Sequence, residues 1–115
     1  MPPKKNPLGL NALQLKTLTL AQALARLPGI AAPDPDEPGA IRIAEFPHPH
    51  GNHFHLGDAV VATRDASGLF VPGVWAALAR KGLSRGDGAF GVTILAAGLD
   101  YDTGLADQLL HRSDH

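Results

Sequence analysis

IRIAEFPHPHGNHFHLGDAVVATR, residues 41–64, is the stretch whose reading decides the fold. From Ala40 the period switches to two, with Ile41 and Ile43 flanking Arg42, and IRIAEF and LGDAVVATR read as strands. Between these runs lies FPHPHGNHFH, residues 46–55, which holds four of the chain's six histidines. Gly51-Asn52 at its centre is a two-residue hairpin signal. Folding about that pair sets His50 opposite His53 and His48 opposite His55. Side chains alternate along a strand, so all four imidazoles would then leave from one face. Directly opposed Cβ atoms lie roughly 4.5–5.5 Å apart, close enough for the rings to converge on one ion. Pro47 and Pro49 fall where the strand's own N–H points away from its partner, which predicts an edge strand. An open, polyproline-like loop is the alternative for the same residues.

Clustered neutral imidazoles are good ligands for Zn²⁺, Ni²⁺ or Cu²⁺. His48, His50, His53 and His55 are therefore the predicted metal ligands, with zinc or nickel as the expected divalent cofactor. Three histidines plus water would make an open site, and four a closed one. The plainer reading is a set of solvated side chains at a hairpin end. Glu45 and Asp58 would oppose each other on the other face of the hairpin. HPHGNH, residues 48–53, resembles the H-x-H-x-D-H motif of the metallo-β-lactamase superfamily, with Asn52 in the Asp place. There the histidines bind metal and the Asp contributes to a second metal site. A metal-dependent hydrolase is the function that resemblance implies. No catalytic residue is assigned, because Walker, GxGxxG, HExxH and GxSxG patterns are all absent.

Working outward, MPPKKNP, residues 1–7, has nothing to bury and is predicted as a disordered tail. Asn11 is the expected N-cap of a helix over ALQLKTLTLAQALARL that ends at Pro28-Gly29. Leu13, Leu20, Leu24 and Leu27 share one face, while Leu15 and Leu18 lie opposite. That helix is either buried on two sides or broken near Thr17–Thr19. AAPDPDEPG, residues 31–39, reads as an extended acidic linker. RDASG, residues 64–68, reads as a turn. Val71, Val74, Trp75 and Leu78 follow helical spacing, with Pro72 at the start and Gly82 just past the end. SRGDG, residues 84–88, reads as a loop, AFGVTIL as a third strand, and GLADQLLHR as a short last helix behind Asp102 or Thr103. Residues 112–115 are expected to fray, His111 and His115 with them.

The predicted fold is α+β: one small antiparallel sheet with helices on one side, in a single domain over residues 8–111. Trp75, Val71, Val74, Leu78, Ile43, Val60, Leu20 and Leu24 are its predicted core. Ten basic and eleven acidic side chains give a formal net charge of −1. That balance offers no general attraction to nucleic acid or to a membrane surface. The chain has no cysteine, so disulfides and thiolate chemistry are excluded. Polar interruptions in the leucine-rich N-terminal stretch argue against a secretion signal, and a cytoplasmic location is expected. Exposed strand could pair in a homodimer.

LARKGLSR followed by VTILAAGLDY, residues 78–85 and 92–101, is similar to the end of a winged-helix protein. In that family a recognition helix ends near K-G-L, a wing strand follows, and L-T-x-x-G-x-x-Y opens the last helix. Leu95 and Ala96 stand in the places of the usual Thr and Pro. The resemblance implies an interaction module contacting nucleic acid or a protein, with Arg80, Lys81 and Arg85 as phosphate contacts. The sequence itself offers one helix where helix-turn-helix uses two. A non-enzymatic domain with a histidine metal or ligand site is the first functional expectation. The interaction module and the hydrolase are the alternatives.

Overall fold

The computed structural model describes residues 6–49, 51–88 and 91–112. Its first helix, α1 (Ala12–Leu24), runs unbroken and is buried on both sides, with Leu18, Leu20, Ala21 and Leu24 all in the core. Asn11 caps it through a reciprocal capping box: its side chain accepts from the Gln14 N–H, and the Gln14 side chain accepts from the Asn11 N–H. Asn6, expected in the disordered tail, bonds both Leu10 and Tyr101 and so belongs to the domain.

Two small antiparallel sheets replace the single sheet expected. The first has the order β1 (Ala31–Pro33), β2 (Ile41–Ile43), β6 (Gly91–Ile94), β5 (Ser84–Gly88). The second has the order β3 (His53–Leu56), β4 (Ala59–Ala62), β7 (His111–Arg112). The start of the acidic stretch is thus a strand rather than a linker, pairing Ala32 with Arg42. SRGDG is a strand too, although its glycines and charges gave no β signal. The tail residues His111 and Arg112 pair with Val60 and Ala59 instead of extending the last helix.

The hairpin turns at Gly57-Asp58, not at Gly51-Asn52. Gly57 has φ 63°, the left-handed value that the first loop position of a II′ turn requires. Leu56 faces Ala59, and Phe54 faces Val61, so Phe54, Leu56 and Val61 enter the core. Val60, expected there, lies on the other face and is only half-buried. The turn falls six residues further on and splits the predicted LGDAVVATR strand, so the parity changes across it and Val61, not Val60, shares the face of Phe54 and Leu56.

Thr63–Phe70, read as strand end and turn, forms a 3-10 helix packed on α1. Lys16 ties the two together through a 2.9 Å ion pair with Asp65. Val71 alone separates this helix from α2 (Pro72–Arg80). Pro72 occupies the first turn of α2, and Val74, Trp75 and Leu78 are buried, while Val71 is not. Its end is a Schellman motif: Gly82 N–H donates to the Ala79 carbonyl and Leu83 N–H to that of Leu78, with Leu83 buried. Two short helices follow, α3 (Ala96–Asp100) and α4 (Ala106–Leu109). The Thr103 hydroxyl, expected as a cap, lies 2.6 Å from that of Thr19 on α1 instead. Among the described residues no helix is long and apolar enough to cross a membrane.

Candidate functional site

The histidine segment divides between two settings. His48 sits in the extended stretch after β2, which forms no strand beyond Ile43. His53 and His55 sit on β3, where the alternation sends them outward while Phe54 and Leu56 point into the core. They face Ala62 and Val60 across the hairpin. The predicted pairing of His48 with His55 is therefore overturned, because β3's partner is β4 and not the Pro47–Pro49 stretch. His50 lies outside the described residues. Glu45 and Asp58 do not oppose each other either, since Asp58 occupies the turn.

What the fold brings together is the pair His53 and His55. Their Nε2 atoms are 3.2 Å apart, with ring planes at 81°. Two nitrogens on one tetrahedral zinc, each at about 2.05 Å, would be separated by about 3.3 Å. The pair matches that spacing, which is equally the length of a hydrogen bond in which one Nε2–H donates to the other ring's Nε2. Asn52 Oδ1 lies 3.3 Å from His53 Nδ1, placed to accept its proton and leave the Nε2 lone pair for a ligand. Among the described residues no third His, Asp or Glu joins them as a metal-ligand group.

Two clefts flank the Ala44–His48 stretch. One, of 430 Å³, is lined by Leu27, Ile30 and Phe46, with Glu45, His48 and His55 also on its wall. The other, of 520 Å³, lies between this stretch, the end of the 3-10 helix and the β5 end. Neither was legible in the sequence, because residues 64–68 read as a turn and Phe70 had no predicted neighbours.

The basic candidates lie elsewhere. Arg80 and Lys81 are exposed at the C-terminal end of α2, where cations also favour the helix dipole. Arg85 reaches Glu37 at 3.2 Å, so part of its charge is met within the chain. The exposed side of α2 consists of Pro72, Gly73, Ala76, Ala79 and Arg80. No protein-family model, curated protein or solved structure matches this chain.

Proposed function

We propose that this chain is a non-enzymatic interaction module on a winged-helix-like plan. The order of elements carries the reading. A helix (α1) and a strand (β2) are followed by two helices one residue apart, the 3-10 helix and α2, and then by the two strands of a hairpin, β5 and β6. β2 lies against β6, and β5 lies outside it. β1 and the β3–β4 hairpin are additions to that order. The 3-10 helix supplies the second helix that the sequence lacked. Fold order alone does not choose a ligand, so the surface must. Reading base edges takes donors and acceptors such as Arg, Asn or Gln on the helix. Before Arg80, the exposed positions of α2 offer none. Arg80 and Lys81, with Arg85 beside them, suit phosphate contacts without sequence preference. A gel shift on random duplex should therefore give weak binding at about 50 mM salt that is lost by about 200 mM. Sequence-selective binding that survives the higher salt would overturn the phosphate-only reading. No binding at either salt would assign the module to a protein partner.

The 3.2 Å spacing of the His53 and His55 Nε2 atoms favours a second role for the inserted hairpin, as a transition-metal arm. Two protein nitrogens leave the remaining positions of a tetrahedral ion to water or to donors from a ligand. Histidine ring signals followed by NMR during zinc and nickel titration test it on tagless protein. Stoichiometric shifts at both rings, abolished in His53→Ala, are the expected result. Scattered, non-saturating shifts would leave two solvated side chains.

A further inference from the structure

The 520 Å³ cleft has a chemistry that neither reading uses. The sequence has only four Phe, one Trp and one Tyr, yet Phe46 and Phe70 both line this cleft, and each packs on a buried ring, Phe46 on Trp75 and Phe70 on Phe54. Trp75 is fully buried, and its indole N–H is anchored on the Leu69 carbonyl at 2.9 Å. Phe46 stacks on it, with ring centroids 5.7 Å apart and planes at 11°. Phe70 then meets Phe46 edge-on, at 6.0 Å and 89°. The two rings meet at a right angle, with Trp75 buried behind Phe46. Phe70 is 57% exposed, although a free phenylalanine ring gains most by burial. Exposed large apolar side chains are the informative ones, and among the described residues only Phe70 and Val71 qualify.

The rim supplies the charge. Glu45 and Asp87 line the cleft together with His48, and no Lys or Arg appears among its described lining residues. Gly88 lets the β5 backbone close against both rings: it has φ 88°, and a Cβ there would lie 2.9 Å from the Trp75 ring and 3.4 Å from Phe46. Crossed aromatic faces attract cations through the ring quadrupole, most strongly cations that shed water readily. Carboxylates at the rim add Coulomb attraction and select against anions. The volume is within the range of small-molecule sites.

We propose that this cleft binds an alkylated ammonium group, with its methyl groups in the Phe46–Phe70 corner and its charge toward Glu45 and Asp87. The same chemistry is carried by a free choline-type amine and by a trimethylated lysine side chain. The site stands independently of the winged-helix reading and of the histidine pair.

The test titrates the ¹⁵N-labelled full chain with choline and, separately, with 3,3-dimethylbutan-1-ol, its uncharged isostere. Choline should give saturable amide shifts at Glu45, Phe46, Phe70 and Gly88, with the alcohol binding about tenfold more weakly. Phe70→Ala changes an exposed side chain and should keep a dispersed spectrum while losing the choline shifts. Glu45→Gln or Asp87→Asn should each weaken choline severalfold and leave the alcohol unchanged. A trimethyllysine peptide then distinguishes the sources: binding tighter than choline assigns the site to a side chain, and weaker binding to a free amine. Equal affinity for choline and the alcohol would overturn the proposal, as would the absence of saturation by about 100 mM.

Discussion

The stretch from Val71 to Ile94 and the stretch from Ala44 to Asn52 differ in how many independent constraints hold them. In the first, a proline start, a buried Trp, a Schellman end and the β5–β6 pairing all require the same backbone. In the second, residues 44–49 run extended after β2 without strand pairing, with His48 and Pro49 exposed. Local rules that agree with one another specify a structure, whereas a polar segment without such agreement takes the shape its neighbours leave. The contrast also separates roles. The over-determined half supplies Pro72, Asp87, Gly88 and Gly91 to the cleft, and the loosely specified half supplies Phe46, Glu45 and His48 to its wall.

β3 carries both kinds of residue, so it offers the sharpest test. Phe54 is buried between the sheets' packing partners and stacks near Phe70 at 6.3 Å, while His53 and His55 face outward from the same strand. Phe54→Ala should cost about 4 kcal/mol in denaturant unfolding. His53→Ala and His55→Ala should each change stability by less than about 0.5 kcal/mol. Similar costs for all three would mean that the histidines are structural, and the metal-arm reading would lose its basis.

The next effect lies within the over-determined half. At Gly98 in α3, an added Cβ would run into the Leu83 carbonyl oxygen and lie 3.0 Å from the Ile94 side chain. Leu83 is itself fixed by the Schellman motif and by accepting from the Leu95 N–H at 3.0 Å. Backbone so held cannot step aside, and Gly98→Ala should destabilise by about 3 kcal/mol. A near-neutral result, read from the urea midpoint, would show that α3 can swing away and that this half is less constrained than its bonds suggest.

This difference in constraint also explains what could be read from the sequence. The α+β class, α1 with its Asn11 cap, and α2 with its Pro72 start and Gly82 end all follow from periodicity and capping, which act within a few residues. Six of the eight predicted core residues, Trp75 among them, are buried. The misses are non-local. Two glycine-containing pairs, Gly51-Asn52 and Gly57-Asp58, competed for the turn, and the burial of Phe54, Leu56 and Val61 together decided it. β1 and β5 have weak strand composition and exist because β2 and β6 offer them edges. The 3-10 helix is buried through Ala66, Gly68 and Leu69 against α1, a contact that residues 64–68 alone do not announce. For the candidate site, His53 and His55 were legible as neighbours on one face. The aromatic corner was not, since it joins residues 46, 70 and 75 through packing.

Capping should give a smaller effect in a region where sequence and structure agree. Asn11→Ala removes the acceptor for the Gln14 N–H, 2.8 Å away, and should cost about 1 kcal/mol. Gln14→Ala should cost less, because the Asn11 N–H it releases is exposed to water. Thermal unfolding of the two variants checks the order, and the reverse order would mean that the cap acts mainly through the reciprocal bond.

The smallest effect is a pH dependence at the edge between the two kinds of region. Asp34 follows β1, and its carboxyl is held below the usual carboxylate range. The Asp36 N–H, 2.8 Å from Oδ1, is the chief cause. Desolvation opposes that shift, while the Thr93 hydroxyl at 3.1 Å and the charge of Arg85 reinforce it. A depressed folded-state pKa means that the unfolded chain takes up the proton first, so stability is contributed above the unfolded value near 3.8 and fades as pH falls through the folded value. Asp34→Asn should therefore be slightly less stable than the parent at neutral pH, with the gap closing on acidification below that range. A gap that stayed constant with pH would assign the difference to hydrogen-bond geometry.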